Sequence, residues 1–204
     1  MGLVLLAIGS LTLAILTSYF QRVKDFELVT VGMLRGLSSV PPDAQGGRFE
    51  TIALSDLVAE VIAELPAAAR ARVQTELNEE GLTRGEPLLL RTLLRNAIDN
   101  ALKYSGEGEV TVVLREDAAA IGTRPGPSVR LEVRDLGPGV PKEQRARVFE
   151  PFYRLAPQAT RGHGLGLPLI GHIAEVHGGY AELVDAPRGA CLVIRLPGWT
   201  HGGA

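Results

Sequence analysis

The sequence predicts a two-layer α/β sandwich of the α+β kind, with a mixed, mostly antiparallel sheet that carries helices on one face. Two periodicities indicate this fold. Apolar residues recur at helical spacing at residues 57–65 and 90–101, whereas residues 109–115 and 129–134 alternate apolar and polar, as half-buried strands do. A closing hairpin around Pro187-Arg188-Gly189 indicates antiparallel pairing. A further helix is expected at the amino end.

The amino-terminal segment, residues 1–21, contains no charged side chain. A membrane-spanning helix needs about 20 mostly apolar residues, so this segment is just long enough. Arg22 and Lys24 follow it, and the positive-inside rule places the carboxyl side in the cytoplasm. The prediction is a single-pass helix in the inner membrane with a cytoplasmic domain behind it. The alternatives are a helix packed in a soluble, cytoplasmic bundle or the stub of a longer chain.

Residues 22–47 are predicted to be a helical linker. Apolar residues from Val23 to Leu37 approximate a helical stripe. The two prolines and two glycines of the segment SSVPPDAQGG (38–47) then break the pattern and place a domain boundary. The globular domain is expected over residues 48–198, followed by a tail at 199–204.

Within this domain the chain carries start and stop signals for three helices. Ser55 is a candidate N-cap for a helix that Pro66 terminates. Pro87 stands at the first position of a helix that runs to about Tyr104. The expected order is completed by a short strand at 72–77, a helix at 164–177 capped by two glycines, and hairpin strands at 181–185 and 191–196.

Composition excludes several functional classes. With 46% hydrophobic and 22% charged residues among 204, the chain is not wholly disordered. The single cysteine, Cys191, excludes an intramolecular disulfide framework and a multi-cysteine metal cluster. A net charge of −2 argues against nucleic acid as the main partner, because no excess of Lys and Arg is available to displace counterions.

A first constellation of polar residues lies on the helix that begins at Pro87. At about 100° per residue, Asn96, Asn100 and Lys103 share one narrow arc beside an apolar arc. Amide oxygens are hard ligands that suit Mg²⁺, which typically bridges substrate phosphates. The alternative is that the two asparagines are merely exposed. The apolar arc is predicted to be buried and contains Leu90, Leu93, Leu94, Ala97, Ile98 and Ala101.

Three more segments carry chemistry. Asp135-Leu136-Gly137-Pro138-Gly139 follows a strand, so the aspartate can accept a hydrogen bond from an amine while the glycines let backbone approach a ligand. Phe149–Arg154 combines aromatic rings with an arginine that can pair with phosphate. Gly162–Leu167 opens a helix with a glycine-rich backbone able to bind anions. Each has a bland alternative: a simple turn, a hydrophobic plug, or an ordinary glycine loop.

Together these segments resemble the ATP-binding domain of sensor histidine kinases, within the wider gyrase, Hsp90, histidine kinase and MutL superfamily. The resemblance covers about Phe49 to Pro197 and implies a Bergerat-type ATP-binding fold. The four segments are similar, in chain order, to the family's N box (Asn96–Ser105), G1 box (Asp135–Gly139), F box (Phe149–Arg154) and G2 box (Gly162–Leu167).

The resemblance implies ATP and Mg²⁺ as cofactors and assigns roles. Asn100 would be the Mg²⁺ ligand, and Asp135 would read the adenine amine. Catalytic roles would fall to Asn96, Lys103 and Arg154. The other nucleotide-contacting residues would be Tyr104, Gly137, Gly139, Gly162, His163, Gly164, Leu165, Gly166 and Leu167, beneath a lid that runs from about Leu155 to Gly162.

The resemblance also favours phosphoryl transfer over hydrolysis. ATP-hydrolysing relatives carry a glutamate as general base where this chain has Asn96, and an amide cannot take a proton from water at neutral pH. The implied function is a histidine kinase catalytic module that transfers the γ-phosphoryl group of Mg·ATP to a protein histidine, with a response regulator as partner. The alternatives are a nucleotide-dependent binding switch without kinase activity, or an anti-sigma-type serine kinase, which the F box disfavours.

The sequence departs from the family in its phosphoacceptor half. The four histidines stand at 163, 172, 177 and 201, and none precedes the ATP-binding domain. Residues 22–38 resemble weakly the second helix of the dimerising hairpin. The acceptor is therefore expected on a histidine-bearing dimerisation domain, in another chain or in a missing upstream segment. Because half of the hairpin is absent, a homodimer is doubtful.

Overall fold

The structure is a computed structural model that describes residues 49–117, 121, 126–155 and 164–200. The predicted membrane helix at 1–21, the linker at 22–47 and the end of the tail lie outside the described residues, as do Gly162, His163 and most of the predicted lid. Within the described ranges, no helix is both long enough and apolar enough for a membrane crossing.

The described chain forms seven strands and four helices. The strands are β1 (Glu50–Ala53), β2 (Val73–Leu77), β3 (Leu82–Gly85), β4 (Val110–Asp117), β5 (Ser128–Asp135), β6 (Tyr180–Val184) and β7 (Cys191–Pro197). The helices are α1 (Leu54–Ala63), α2 (Ala67–Arg70), α3 (Pro87–Tyr104) and α4 (Gly166–Val176). Two 3₁₀ turns, Lys142–Gln144 and Arg147–Phe149, lie between β5 and α4.

Five strands form the main sheet in the order β2-β4-β5-β7-β6. Only the β2–β4 pair among these is parallel, and the other three pairs are antiparallel, which confirms the predicted mixed, mostly antiparallel sheet. β1 and β3 pair antiparallel in a separate two-stranded sheet. The ends of β4 and β5 that pair Val110 with Asp135 therefore lie next to the start of β7 at Cys191.

The core lies between the helices and one face of the main sheet. Register aligns Val112, Val133 and Leu192 across β4, β5 and β7, and all three are buried. The predicted apolar arc of α3 is buried in full, and α4 adds five more buried side chains, Pro168, Leu169, Ile170, Ile173 and Ala174. Removal of this apolar surface from water is the main stabilising term, and it leaves Asn96, Asn100 and Lys103 outside the buried arc of α3.

The opposite face of the main sheet carries charged side chains as well as buried apolar ones such as Val113 and Val193. Register places Arg115, Arg130 and Arg195 in one row. Glu132, in the adjacent row, is 5% exposed and pairs with Arg130 at 2.8 Å and with Arg134 at 2.9 Å from Nε. Burial raises the pKa of the Cys191 thiol, and the negative charge of the nearby Glu132 raises it to a smaller extent. This cysteine is therefore a buried neutral side chain.

The sequence placed most of these elements correctly but was wrong about Ser55. That residue is the second residue of α1, and the N-cap position is Ala53, whose side chain makes no capping hydrogen bond. The N–H groups of Leu54 and Ser55 donate instead to the carbonyls of Gly81 (3.3 Å) and Glu80 (3.1 Å). A side-chain cap is unnecessary because a distant loop supplies the acceptors.

Candidate nucleotide site

The polar edge of α3 forms one wall of the candidate site. Asn96 and Asn100 are half-buried, and Lys103 and Tyr104 are exposed at the carboxyl end of the helix. The Asn96 Nδ2 group donates to the Thr92 carbonyl at 2.8 Å, which leaves the amide oxygen as the group presented outward. Lys103 Nζ lies 3.3 Å from the Tyr104 hydroxyl and 4.7 Å from the centre of its ring. The end of α3 thus presents a cation beside an aromatic ring.

Asp135 ends β5 and is 8% exposed. Its Oδ1 accepts from the N–H of Gly137 at 2.8 Å and from the N–H of Ala190 at 3.2 Å. Its own N–H donates to the Ala190 carbonyl at 3.0 Å, so the residue is held on both sides. The hydrogen bonds found for this carboxylate within the described ranges all go to Oδ1. Oδ2 is therefore the oxygen that can accept from a ligand.

The two glycines after Asp135 stand where backbone approaches backbone. A Cβ on Gly137 would lie 2.4 Å from the Tyr104 carbonyl oxygen, so the loop packs directly on the end of α3. Gly139 has φ +74°, and a Cβ there would lie 2.6 Å from the Gly189 carbonyl oxygen. These contacts allow only glycine without a shift of the loop, and they bring the predicted G1 segment against both α3 and the β6–β7 hairpin.

The second glycine-rich segment meets α3 at Asn100. A Cβ on Gly166, the first residue of α4, would lie 2.8 Å from Asn100 Nδ2 and 3.2 Å from Asn100 Oδ1. Leu165 occupies the N-cap position, and its side chain makes no capping hydrogen bond. Leu165 and Leu167 are half-buried. The amino end of an eleven-residue helix, whose N–H groups favour anions, is therefore placed beside the predicted metal ligand.

The predicted F box contacts the same segment. Phe152 N–H donates to the Gly164 carbonyl at 2.9 Å, and a Cβ on Gly164 would lie 2.7 Å from the Tyr153 carbonyl oxygen. Phe152 has φ +67° and is 65% exposed, although this left-handed conformation costs a non-glycine residue about 1–2 kcal/mol. Arg154 is half-buried. Strain and an exposed ring thus coincide within the F box, three residues before the predicted lid.

Two further residues line the Asp135 region without having been predicted as site residues. Ala190 supplies one of the N–H groups that hold the carboxylate, and a Cβ on Gly189 (φ +70°) would lie 1.9 Å from the Asp135 carbonyl oxygen. The signal in the sequence is the glycine of the hairpin turn, which by itself predicts a turn and no contact with Asp135. Its proximity to Asp135 depends on the antiparallel pairing of β5 with β7.

The segment after Gly139 is tied to the end of β6 through Arg145. The guanidinium donates to the Val140 carbonyl at 3.2 Å and to Asp185 Oδ1 at 2.7 Å. This hydrogen bond and the charge of Arg145 lower the pKa of the exposed Asp185 carboxyl. Among the described residues, no group of three or more His, Cys, Asp or Glu side chains is placed to hold a metal ion. A magnesium site here would depend on the Asn100 amide and on the substrate's own oxygens.

The family model described as "Histidine kinase-, DNA gyrase B-, and HSP90-like ATPase" matches residues 85–199. The chain is similar to the sensor protein QseC of Escherichia coli O157:H7, with 36% identity over 168 residues, which make up 80% of this chain and 33% of that protein. It is also similar to the sensor-type histidine kinase PrrB of Mycobacterium tuberculosis H37Rv, with 42% identity over 115 residues, 56% of this chain and 24% of that protein. The chain thus spans about a third or less of these relatives' length.

Solved structures give the same result. The ATP-binding domain of PrrB from Mycobacterium tuberculosis has a TM-score of 0.56 and 32% identity, covering 74% of this chain and 98% of that one. The mycobacterial sensor histidine kinase MprB has a TM-score of 0.59 and 25% identity, covering 75% of this chain and 99% of that one. The described domain therefore has the fold of histidine kinase catalytic domains.

Proposed function

The chain belongs to the histidine kinase-, DNA gyrase B- and HSP90-like ATPase family, and we propose that it is the ATP-binding catalytic module of a two-component sensor histidine kinase. It would transfer the γ-phosphoryl group of ATP to a protein histidine. The observation that carries this proposal is the position of α3 between two glycine-rich segments. Tyr104 contacts Gly137 at one point, and Asn100 contacts Gly166 at another.

The Asp135 end of the site fits an adenine base. A buried carboxylate with Oδ1 held by two N–H groups presents Oδ2 in a fixed direction, as acceptance from an exocyclic amine requires. Leu136 beside it is 40% exposed and offers apolar surface to a ring. Selectivity for adenine over guanine follows, because guanine carries a carbonyl where adenine carries the amine.

The α4 end of the site fits phosphates. The uncapped amino end of the helix and the glycine backbone at 164–166 supply N–H donors, and Lys103 supplies positive charge at the end of α3. Arg154, the last residue of the F box, is proposed to reach the same anions. These groups would bind and orient the triphosphate, and orientation accounts for most of the catalysis in phosphoryl transfer.

The oxygen ligands available at Asn100 also fit magnesium. Its amide oxygen is a neutral, hard ligand beside the amino end of α4, where the substrate's phosphate oxygens would complete the coordination. When bound, the ion would neutralise negative charge on the β- and γ-phosphates.

The residue at position 96 supports transfer rather than hydrolysis. The Asn96 side chain is an amide that already donates to its own helix, so it cannot deprotonate a water molecule. A neutral histidine imidazole needs no such base, because the ring nitrogen that attacks the γ-phosphorus carries no proton, and the other ring nitrogen can release its proton to solvent afterwards. The new N–P bond forms as the bond to the β–γ bridging oxygen breaks, and ADP leaves.

A labelling experiment tests the proposal. The 204-residue chain is incubated with Mg²⁺, γ-labelled ATP and a separate histidine-bearing dimerisation domain. Acid-labile label on that domain is expected, since a phosphoramidate hydrolyses in acid. ATP binding without transfer would favour a nucleotide-dependent switch instead. Acid-stable phosphoserine on a protein target would identify a serine kinase.

Asn100→Asp tests the site assignment within the same assay. We expect at least about tenfold less phosphoryl transfer, because a negative charge would replace the neutral amide and face the phosphates. Asp99→Asn is the matched control, since the ion pair that this exposed neighbour makes within the described residues is with Arg95 on the helix surface. Normal transfer by Asn100→Asp would refute the assignment of the phosphate site beside Asn100.

We also propose that residues 1–21 anchor the chain in the inner membrane, with the catalytic domain in the cytoplasm. Support comes from 21 uncharged residues followed directly by Arg22. The expressed chain is expected to sediment with membranes and to resist carbonate extraction. A variant lacking residues 2–21 should be released, and release of the intact chain by carbonate would contradict the anchor.

A further inference from the structure

Arg72, directly before β2, reaches the end of α3 across 30 to 36 residues of sequence. Its Nε donates to the Gly108 carbonyl at 3.1 Å. One terminal nitrogen donates to the same carbonyl at 2.8 Å, to Ser105 Oγ at 2.7 Å and to the Leu102 carbonyl at 3.4 Å. One half-buried guanidinium thus serves three acceptors.

These acceptors belong to one structural unit, the last turn of α3 and the tight turn after it. Ser105 is the C-cap of α3 and is 8% exposed. Its Oγ donates to the Gly108 carbonyl at 3.0 Å, and its own carbonyl accepts from Gly108 N–H at 2.9 Å. A cation is favourable at this position, because the carboxyl end of a helix carries partial negative charge and unpaired carbonyls.

The same unit also contacts the Asp135 loop. The Tyr104 carbonyl packs against Gly137, and a Cβ on Gly108 would lie 3.1 Å from Leu136 Cβ. Movement of the turn would therefore move Lys103 and Tyr104 relative to Asp135.

We propose that Arg72 is a positioning residue of the nucleotide site, which holds the carboxyl end of α3 in place against the 135–139 loop. The inference rests on the proposed function, because it concerns the affinity of the same site. Arg72 makes no contact with the loop itself among the hydrogen bonds of the described chain. It acts through the turn at 105–108.

The test compares Mg·ATP binding to the full chain and its variants by isothermal titration calorimetry, with the folded fraction measured by circular dichroism at the same temperature. Arg72→Met is expected to weaken binding about tenfold while staying folded. Arg72→Lys is expected to restore most of the affinity, since an ammonium can still donate to the carbonyls at the helix end.

Arg91→Met is the matched control. Arg91 also ties α3 to a neighbouring part of the chain, through Glu60 and through Glu64 at 2.8 Å. It lies near the start of α3, far along the helix from Tyr104, so its loss is expected to leave affinity unchanged. Failure of the wild-type chain to bind Mg·ATP would refute the proposed function itself. Wild-type binding together with unchanged affinity in Arg72→Met, or equal losses in Arg72→Met and Arg91→Met, would overturn the role of Arg72.

Discussion

At Gly137 the absence of a Cβ allows the loop after β5 to pack directly against the end of α3. The helix end and the strand end are close enough that a Cβ would lie 2.4 Å from a carbonyl oxygen and 2.9 Å from Asp135 Oδ1. The first neighbour is backbone and cannot rotate away. The sequence indicated glycine as a feature of a ligand loop, and the structure gives the reason as contact between protein segments.

Gly137→Ala is predicted to weaken Mg·ATP binding about tenfold, because the loop must shift and carry Asp135 with it. Fluorescence or calorimetric titration of the purified chain measures the affinity. Gly171→Ala is the control, since among the described residues a Cβ there would meet the Phe149 ring, at 3.4 Å, and alanine would favour the helix. Unchanged affinity in Gly137→Ala would show that the loop tolerates the displacement.

At the scale of elements, β5 separates two environments by the alternation of its side chains. Val129, Leu131 and Val133 face the core, whereas Arg130, Glu132 and Arg134 face the charged side. Alternation predicted the strand, but not that Glu132 would be buried on the polar face. Glu132 stands between the buried Val113 and Val193 of the adjacent strands and pairs with two arginines of its own strand. The pattern of one strand carries no information on these neighbours.

Glu132→Gln is predicted to destabilise the domain by about 1–2 kcal/mol, a value discounted because both arginines are partly exposed. The loss leaves Arg130 and Arg134 without the carboxylate between them. Thermal unfolding should show a Tm lower by roughly 3–6 °C. Glu182→Gln, an exposed change in the same row of the sheet, serves as the comparison and should leave Tm unchanged. Equal Tm values for both variants would disprove the importance of the Glu132 pairing.

At the scale of the whole domain, His177 joins two helices that are distant in sequence. Its Nδ1 lies 2.7 Å from the Ile173 carbonyl in α4, and its Nε2 accepts from Glu86 N–H at 3.1 Å at the start of α3. The ring is 4% exposed, and burial lowers the pKa of His177 below the ordinary value of 6.5. Only the neutral form with the proton on Nδ1 satisfies both contacts.

The stability of the fold should therefore depend on pH through His177. The unfolded chain takes up a proton as pH falls through about 6.5, whereas the folded chain does so only at lower pH. The contribution is complete above pH 6.5 and is lost as pH falls. Urea midpoints measured between pH 7.5 and 5.5 should decline for the wild type and decline less for His177→Gln. Identical slopes would exclude this histidine as a source of the pH dependence.

The sequence by itself determined the order of the five main-sheet strands and of three helices, together with the buried arc of α3, but it did not indicate β1, β3 or α2. Periodicity, helix-terminating residues and glycine-rich motifs involve residues close together in the chain, so they can be recognised from the sequence alone. Only the tertiary structure decided that Asn100 meets Gly166, that Ala190 holds Asp135 and that Arg72 secures the end of α3. These contacts join residues 30 to 66 positions apart. They exist because burial of the apolar faces of the sheet and helices brings their polar edges together. The relative placement of these edges depends on the packing of the whole core.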